Sequence, residues 1–176
     1  IRELPAGADN LSMYALANVS KKLGDVKFPK DWESGWSWKY PDTPLVTNGV
    51  NKESYAFEAV YGGDRNYPVE KTINIYIGKI TAVSVSEIGN GHNQVLEAGG
   101  NDSIELAVSP VYKGKISKDE YTVEFPAVQG LTVTKNDENG TWLVTAQKKG
   151  NYTLNPVIKS GDTVLAKTSY KIKAVE

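Results

Sequence analysis

Four aromatic residues have the type and spacing to do chemistry: Trp32, Trp36, Trp38 and Tyr40. Trp36, Trp38 and Tyr40 are spaced by two, so an extended strand puts their rings on one face. Such a row can stack against the apolar faces of sugar rings at little entropic cost. It can equally be a core stripe, because a unit of about 70 residues needs large side chains to fill its interior. For Trp36 and Trp38 the core reading is favoured. Trp32 lies between Asp31 and Glu33 in an expected loop. An indole there can hold a sugar or a partner protein, or fold back over the core, and the two readings stand level. Tyr40 and Tyr67 are weaker members of the same patch.

No catalytic residue, metal site or cofactor is expected from the remaining polar residues. His92 is the single histidine and sits in the turn Gly89-Asn90-Gly91-His92-Asn93. A catalytic base must be held within hydrogen-bond reach of a nucleophile, and a histidine among glycines reads as a solvated loop residue. One imidazole without a thiol makes a poor metal site. The carboxylate pairs Asp119-Glu120 and Asp137-Glu138 are sequence neighbours. Such neighbours point to opposite faces of a strand or into solvent at a turn, whereas a glycosidase needs two acids across one cleft. The run Asn136-Asp137-Glu138-Asn139-Gly140 lacks the later glutamate of a calcium loop and reads as a hairpin turn. Calcium at other loop ends stays open. Gly62-Gly63 and Gly99-Gly100 lack the context of a phosphate cradle and read as turns.

The elements that must position these residues are strands. Ile73, Ile75 and Ile77 alternate with Asn74, Tyr76 and Gly78, the period of a half-buried strand. The same period recurs at 104–108, 121–125, 131–133, 142–144 and 170–174. Asn48-Gly49, Asn90-Gly91, Asn139-Gly140 and Ser160-Gly161-Asp162 supply the turns. Asn139-Gly140, between 131–135 and 142–147, marks the clearest hairpin. The one helix-like signal is Ser20-Lys21-Lys22-Leu23, stopped by Gly24 after about one turn. The fold class read from this is all-β, with two tandem small domains. Residues 1–9 are a linker or tail, 10–79 a small tryptophan-rich β-module, and 80–176 an Ig-like β-sandwich. Its seven strands are expected near 80–86, 103–112, 119–125, 131–136, 141–147, 151–159 and 163–174.

Composition narrows the function class. The 20 basic and 21 acidic residues leave a net charge of −1. Neither half carries the basic surplus that nucleic acid or an anionic membrane demands, so neither partner is expected. The chain has no cysteine, so no disulfide pins its sheets and no thiolate binds zinc. No apolar run approaches the about 20 residues that span a bilayer. Beginning at Ile1, without a signal peptide, the chain reads as an excised or mature fragment. Asn10, Asn18, Asn101, Asn139 and Asn151 each begin an Asn-x-Ser/Thr triplet, which chance explains in a chain this rich in Asn, Ser and Thr.

The order of motifs adds a resemblance. Leu23-Gly24-Asp25-Val26-Lys27-Phe28-Pro29 is followed by Gly35-Trp36-Ser37-Trp38-Lys39-Tyr40-Pro41-Asp42-Thr43-Pro44-Leu45. Then come Tyr55-Ala56-Phe57, Ala59-Val60-Tyr61, Asn66-Tyr67 and the strand at 73–77. Over residues 14–77 this resembles the small β-rich repeat module of Gram-positive and gut-Firmicute surface proteins, with its L-x-D-V-x-L-P, G-W-x-W and P-x-T-x-L pattern. The interposed Lys30-Asp31-Trp32-Glu33-Ser34 departs from that pattern. Residues 80–176 resemble a bacterial Ig-like domain by strand rhythm. Some such domains carry a Lys–Asn crosslink, but 163–175 holds no Asn or Asp for it. The resemblance implies a non-catalytic, extracellular stalk or adhesion module on a bacterial cell surface, with a host or cell-wall glycan or a protein receptor as partner. The alternative is a carbohydrate-binding module built on the aromatics around Trp32.

Overall fold

Ile73, Ile75 and Ile77 are wholly buried while Asn74 and Tyr76 between them face outward, so the period of two is realised as a strand. The computed structural model describes residues 12–30, 32, 35–45, 54–62, 69–89 and 91–176. The expected linker, Asn10, Asp31, Glu33, Asn48-Gly49, Gly63, Asn66-Tyr67 and Asn90 lie outside them. The described residues form β1 (Ser12–Leu16), β2 (Trp36–Trp38), β3 (Ser54–Tyr61), β4 (Val69–Glu87), β5 (Val95–Glu97), β6 (Ile104–Gly114) and β7 (Thr122–Glu124). They continue with β8 (Leu131–Asn136), β9 (Thr141–Ala146), β10 (Gly150–Leu154), β11 (Val157–Ser160), β12 (Thr163–Lys167) and β13 (Tyr170–Val175). The protein is all-β; its only helical pieces among the described residues are 3-10 turns at Leu23–Asp25 and Lys118–Glu120.

The chain divides into two units. The first holds residues up to Ile80 and Tyr112–Glu120; the second holds Thr81–Val111 and Tyr121–Glu176. Residues 112–120, expected in the second unit, therefore belong to the first. The reason is local: the Lys115 amide donates to the Ile77 carbonyl at 3.2 Å and Lys115 Nζ lies 4.7 Å from the Tyr76 ring centroid.

In the first unit β3 pairs antiparallel with both β2 and β4. On the other edge of β4, β1 runs parallel to it, Ser12 opposite Asn74 and Leu16 opposite Gly78. Past the end of β1, the Asn18 carboxamide continues this ladder by exchanging hydrogen bonds of 2.8 and 2.9 Å with the Ile80 backbone. Gly78 has to be glycine, since a Cβ there would stand 2.5 Å from the Lys115 carbonyl oxygen and collide with the Ile116 side chain. The expected helical turn falls slightly later, over Leu23–Asp25. There the Asp25 carboxylate accepts the Lys21 and Lys22 amides at 3.0 and 3.1 Å. Leu23, Val26 and Phe28 then lie over the sheet, packed with Met13, Ala59 and the three isoleucines.

The second unit is an Ig-like sandwich. One sheet runs from β4 through β6 and β9 to β8. Its turn at 137–140 is closed by the Gly140 amide on the Asn136 carbonyl, which realises the expected hairpin. The other layer is one long hairpin folded in two: β10 pairs with β13 and β11 with β12. Asn155-Pro156 and Thr168-Ser169 interrupt both arms, and there the Thr168 amide donates to the Pro156 carbonyl. Proline has no N–H for the ladder, so each arm breaks where Pro156 sits. The expected strands 151–159 and 163–174 are each two for this reason. Beside the hairpin, β7 pairs antiparallel with β11, and β5, unseen in the sequence, pairs parallel with β13. Ile104, Leu106, Val144 and Ala146 face Leu96, Leu154, Ile172 and Ala174 across the core.

Candidate functional site

The aromatic row places its rings inward. Trp36 and Trp38, on one face of β2, are 8% and 7% exposed, and Trp32 is 6% exposed. Phe28 stacks on Trp38 at 4.4 Å between centroids, Trp32 lies 5.4 Å from Trp36, and Trp36 lies 5.6 Å from Tyr61. The Trp38 indole N–H donates to the Val26 carbonyl at 2.9 Å, which fixes the ring. These three rings cannot serve as a sugar platform, because their faces are covered by one another and by Phe28. The physical cause is size: a small sheet closed on one face by a single irregular segment needs bulk to fill its interior. Trp32 joins the cluster even though its indole nitrogen finds no hydrogen-bond partner. Strand β2 ends at Trp38, so Tyr40 lies in the following turn, off the row; the residue is 58% exposed, and Lys39 Nζ lies 5.7 Å from its ring centroid.

The polar site that the structure does build lies in the second unit, around His92. Its Nδ1 is 3.0 Å from Glu87 Oε1 and its Nε2 is 3.0 Å from Asp102 Oδ1. The His92 backbone amide also donates to the Glu87 carboxylate, at 2.9 and 3.0 Å to its two oxygens. Asp102 Oδ2 in turn accepts the Glu97 amide at 2.9 Å. Glu87 ends β4, Asp102 precedes β6, and Glu97 ends β5, so one ring ties three pieces of backbone. This corrects the expectation of a solvated, loosely held histidine.

The electrostatics follow from the geometry. Each carboxylate calls for an N–H, so the arrangement favours the imidazolium, the form in which both ring nitrogens carry hydrogen. The hydrogen bond to Asp102 raises the His92 pKa above its ordinary value, burial opposes it, and the Asp102 and Glu87 charges add to the rise. The Glu97 amide, and after it His92, holds Asp102 below the usual carboxylate range. In that form the ring has no lone pair to take a nucleophile's proton or to bind a metal. Among the described residues no group of three or more His, Asp or Glu side chains is placed to hold a metal ion, and no helix is long and apolar enough to cross a membrane.

The residues after the ring are strained. Asn93 and Gln94 have φ of 54° and 66°, the only positive values among the described non-glycine residues. The left-handed region costs a side-chain-bearing residue about 1–3 kcal/mol and persists where its surroundings hold it. Gln94 is fixed on both sides: its Nε2 donates to the Lys171 carbonyl at 2.8 Å, and its own carbonyl accepts the Lys173 amide at 2.8 Å. An open groove beside it, of about 630 Å³, is lined among others by Asn93, Asn151, Thr153, Lys171 and Lys173.

One further acid stands apart, in the first unit. Both carboxylate oxygens of Glu120 are buried and make no hydrogen bond of good geometry. Burial pushes its pKa up to about 7, with Asp119 adding to the rise and the Ser117 backbone opposing it. Sequence reading passed over it as a solvated strand or turn residue, and no local signal marks it.

No protein-family profile and no curated protein sequence matches the chain. Among solved structures it is similar to domains 5-6 of the S-layer protein SbsC. That match has 16% identity and a TM-score of 0.38, covering 80% of this chain and 74% of that one. It is also similar to cadherin domains 3-6 of protocadherin gamma B2, with 7% identity, a TM-score of 0.37 and coverage of 93% and 45%. For the N-terminal eight Ig domains of the Down syndrome cell adhesion molecule the values are 9%, 0.33, 81% and 20%. The chain thus spans less than half of the protocadherin fragment and a fifth of the latter. Likeness at these scores bears on neither fold nor function; the architecture above rests on the strand pairings.

Proposed function

We propose that the chain is a non-catalytic, extracellular stalk or adhesion module of a bacterial cell-surface protein, built to hold under tension. One observation carries the reading. In each unit an early strand runs parallel to a later one: β1 beside β4 in the first, β5 beside β13 in the second. In a parallel pair the beginning of one strand and the end of the other lie at opposite ends. A pull along the chain then loads all the ladder bonds together instead of opening them one by one. Forced unfolding is governed by the unfolding barrier, which such shear raises. The resemblance of residues 14–77 to surface-protein repeats supports the bacterial placement, and a glycan or protein receptor remains the partner class. The burial of Trp32, Trp36 and Trp38 weighs against the carbohydrate-binding alternative.

The absence of native cysteine makes the test clean. Thiol handles at Ser12→Cys and Lys79→Cys pull the first unit's parallel pair in shear. Handles at Ser12→Cys and Asn74→Cys, directly opposite in register, peel it. For the second unit the pairs are Val95→Cys with Glu176→Cys, and Val95→Cys with Lys173→Cys. Single-molecule rupture forces should be several-fold higher for the shear handles in both units. Equal forces in the two geometries would remove the reading.

A further inference from the structure

We propose that His92 is a proton-operated latch on the segment that delivers β5 to β13. Strand β4 ends at Glu87 in one sheet and β5 begins at Val95 in the other, and the imidazolium is the group that joins Glu87 to Asp102 between them. Glu87 receives both the ring and the backbone amide of His92. Asp102 receives the opposite ring nitrogen and the first amide beyond the core residue Leu96. Immediately after the latch come the two left-handed residues, whose backbone has to be held for the Gln94 carbonyl to meet the Lys173 amide. Val95 then starts the parallel pair, its amide donating to the His92 carbonyl at 3.1 Å.

Deprotonation breaks this arrangement on one side. A neutral imidazole has one N–H, so one nitrogen must turn a lone pair toward a carboxylate oxygen 3.0 Å away. Repulsion there frees either the β4 end or the loop before β6, and the strained backbone of Asn93 and Gln94 is then left to the Gln94 bonds with Lys171 and Lys173 and to the Val95 amide on the His92 carbonyl. The charged groups acting on the ring are Glu87 from β4 and Asp102 from the loop before β6. Tyr170, at the start of β13, faces Glu87 and stays protonated, since burial raises its pKa. The latch is therefore closed while the ring keeps both protons, below the folded pKa of His92. It opens as the pH rises through the folded pKa of His92, which lies above the free value. On the acid side the Asp102 arm stays charged below the usual carboxylate range. Whether the latch sets resistance to pulling rests on the tension reading; the latch itself does not.

Two measurements on the whole chain test it. NMR titration of the single imidazole should give a pKa above 6.5 with both ring nitrogens protonated below it; a value at or under 6.5 overturns the proposal without any variant. Hydrogen exchange, corrected for its intrinsic pH dependence, should show the Val95, Ala98 and Lys173 amides losing protection as pH rises. The loss is about tenfold for each unit by which the folded pKa exceeds the free one, while β8 and β9 amides hold. His92→Gln should abolish that pH step. A step that persists in His92→Gln, or protection that stays level in the native chain, overturns the latch. A step with weak rupture forces would leave the latch standing and remove the stalk.

Discussion

The Asn18 carboxamide pairs with the Ile80 backbone as a strand residue would, accepting its N–H at 2.8 Å and donating to its carbonyl at 2.9 Å. It extends the β1–β4 ladder one step past the Ala17 amide, which donates to the Gly78 carbonyl at 2.8 Å. Ile80 is 1% exposed, so water cannot replace the side chain. Asn18→Ala leaves a buried donor and acceptor unpaired, at a cost of about 1–3 kcal/mol. Asn18→Asp restores the acceptor but turns an oxygen toward the Ile80 carbonyl, and should recover little. Urea unfolding followed by tryptophan emission measures this, since three of the four tryptophans lie in the first unit.

Gly78→Ala tests the close approach of the 115–116 backbone. The added Cβ meets a carbonyl oxygen at 2.5 Å, and backbone yields less than a side chain. Forced overpacking of this kind costs about 1–3 kcal/mol. Adding Ile116→Ala removes only part of the collision, so the double variant should recover only part of the loss in the same urea experiment.

Trp32 and Trp38 differ in one bond, and paired variants separate them. Trp38→Phe deletes the N–H that satisfies the Val26 carbonyl and should destabilise by about 1–3 kcal/mol beyond its lost area. Trp32→Phe removes a buried N–H that bonds nothing, so lost area and relieved desolvation offset each other and the net change is smaller. Emission of the native chain should be blue-shifted, resist acrylamide, and stay unchanged across a glycan panel. A saturable glycan response lost in Tyr40→Ala would restore the carbohydrate reading at the one exposed ring of the four.

Glu120 gives the first unit a pH dependence of its own. Its folded pKa of about 7 lies above the ordinary carboxylate value, so the folded state keeps a proton that the unfolded chain releases. Stability is full below the unfolded pKa and falls as pH rises through about 7. Glu120→Gln should raise the midpoint of the first unit at pH 8, leave it unchanged near pH 4, and flatten the profile between. A midpoint at pH 8 equal to or below that of the native chain would contradict the burial.

The fold class was legible because periodicity and turn residues are local signals. The isoleucines at 73, 75 and 77, the turn at Asn139-Gly140 and the inward pairing of Trp36 with Trp38 all follow from neighbours in sequence. What stayed hidden depends on partners far along the chain. Asn18 meets Ile80 across 62 positions, and Gly78 is fixed by 115–116. β5 has three residues and no pattern of its own; β13 makes it a strand. His92 was misread for a similar reason. Glycines beside it suggested freedom, while acids five residues before and ten after supplied restraint. A lone histidine with acids on both sides within one loop's reach was the available signal.

The inward tryptophans separate what labels the first unit from what it shows to its surroundings. A motif of indoles at fixed spacing describes the filling of a shell, and the coat over that shell is carried by other residues altogether. Two chains sharing the motif would share an interior, yet either could exchange every outward side chain without disturbing it. A shell filled this way can be re-coated residue by residue while the pattern that marks it stays sealed inside.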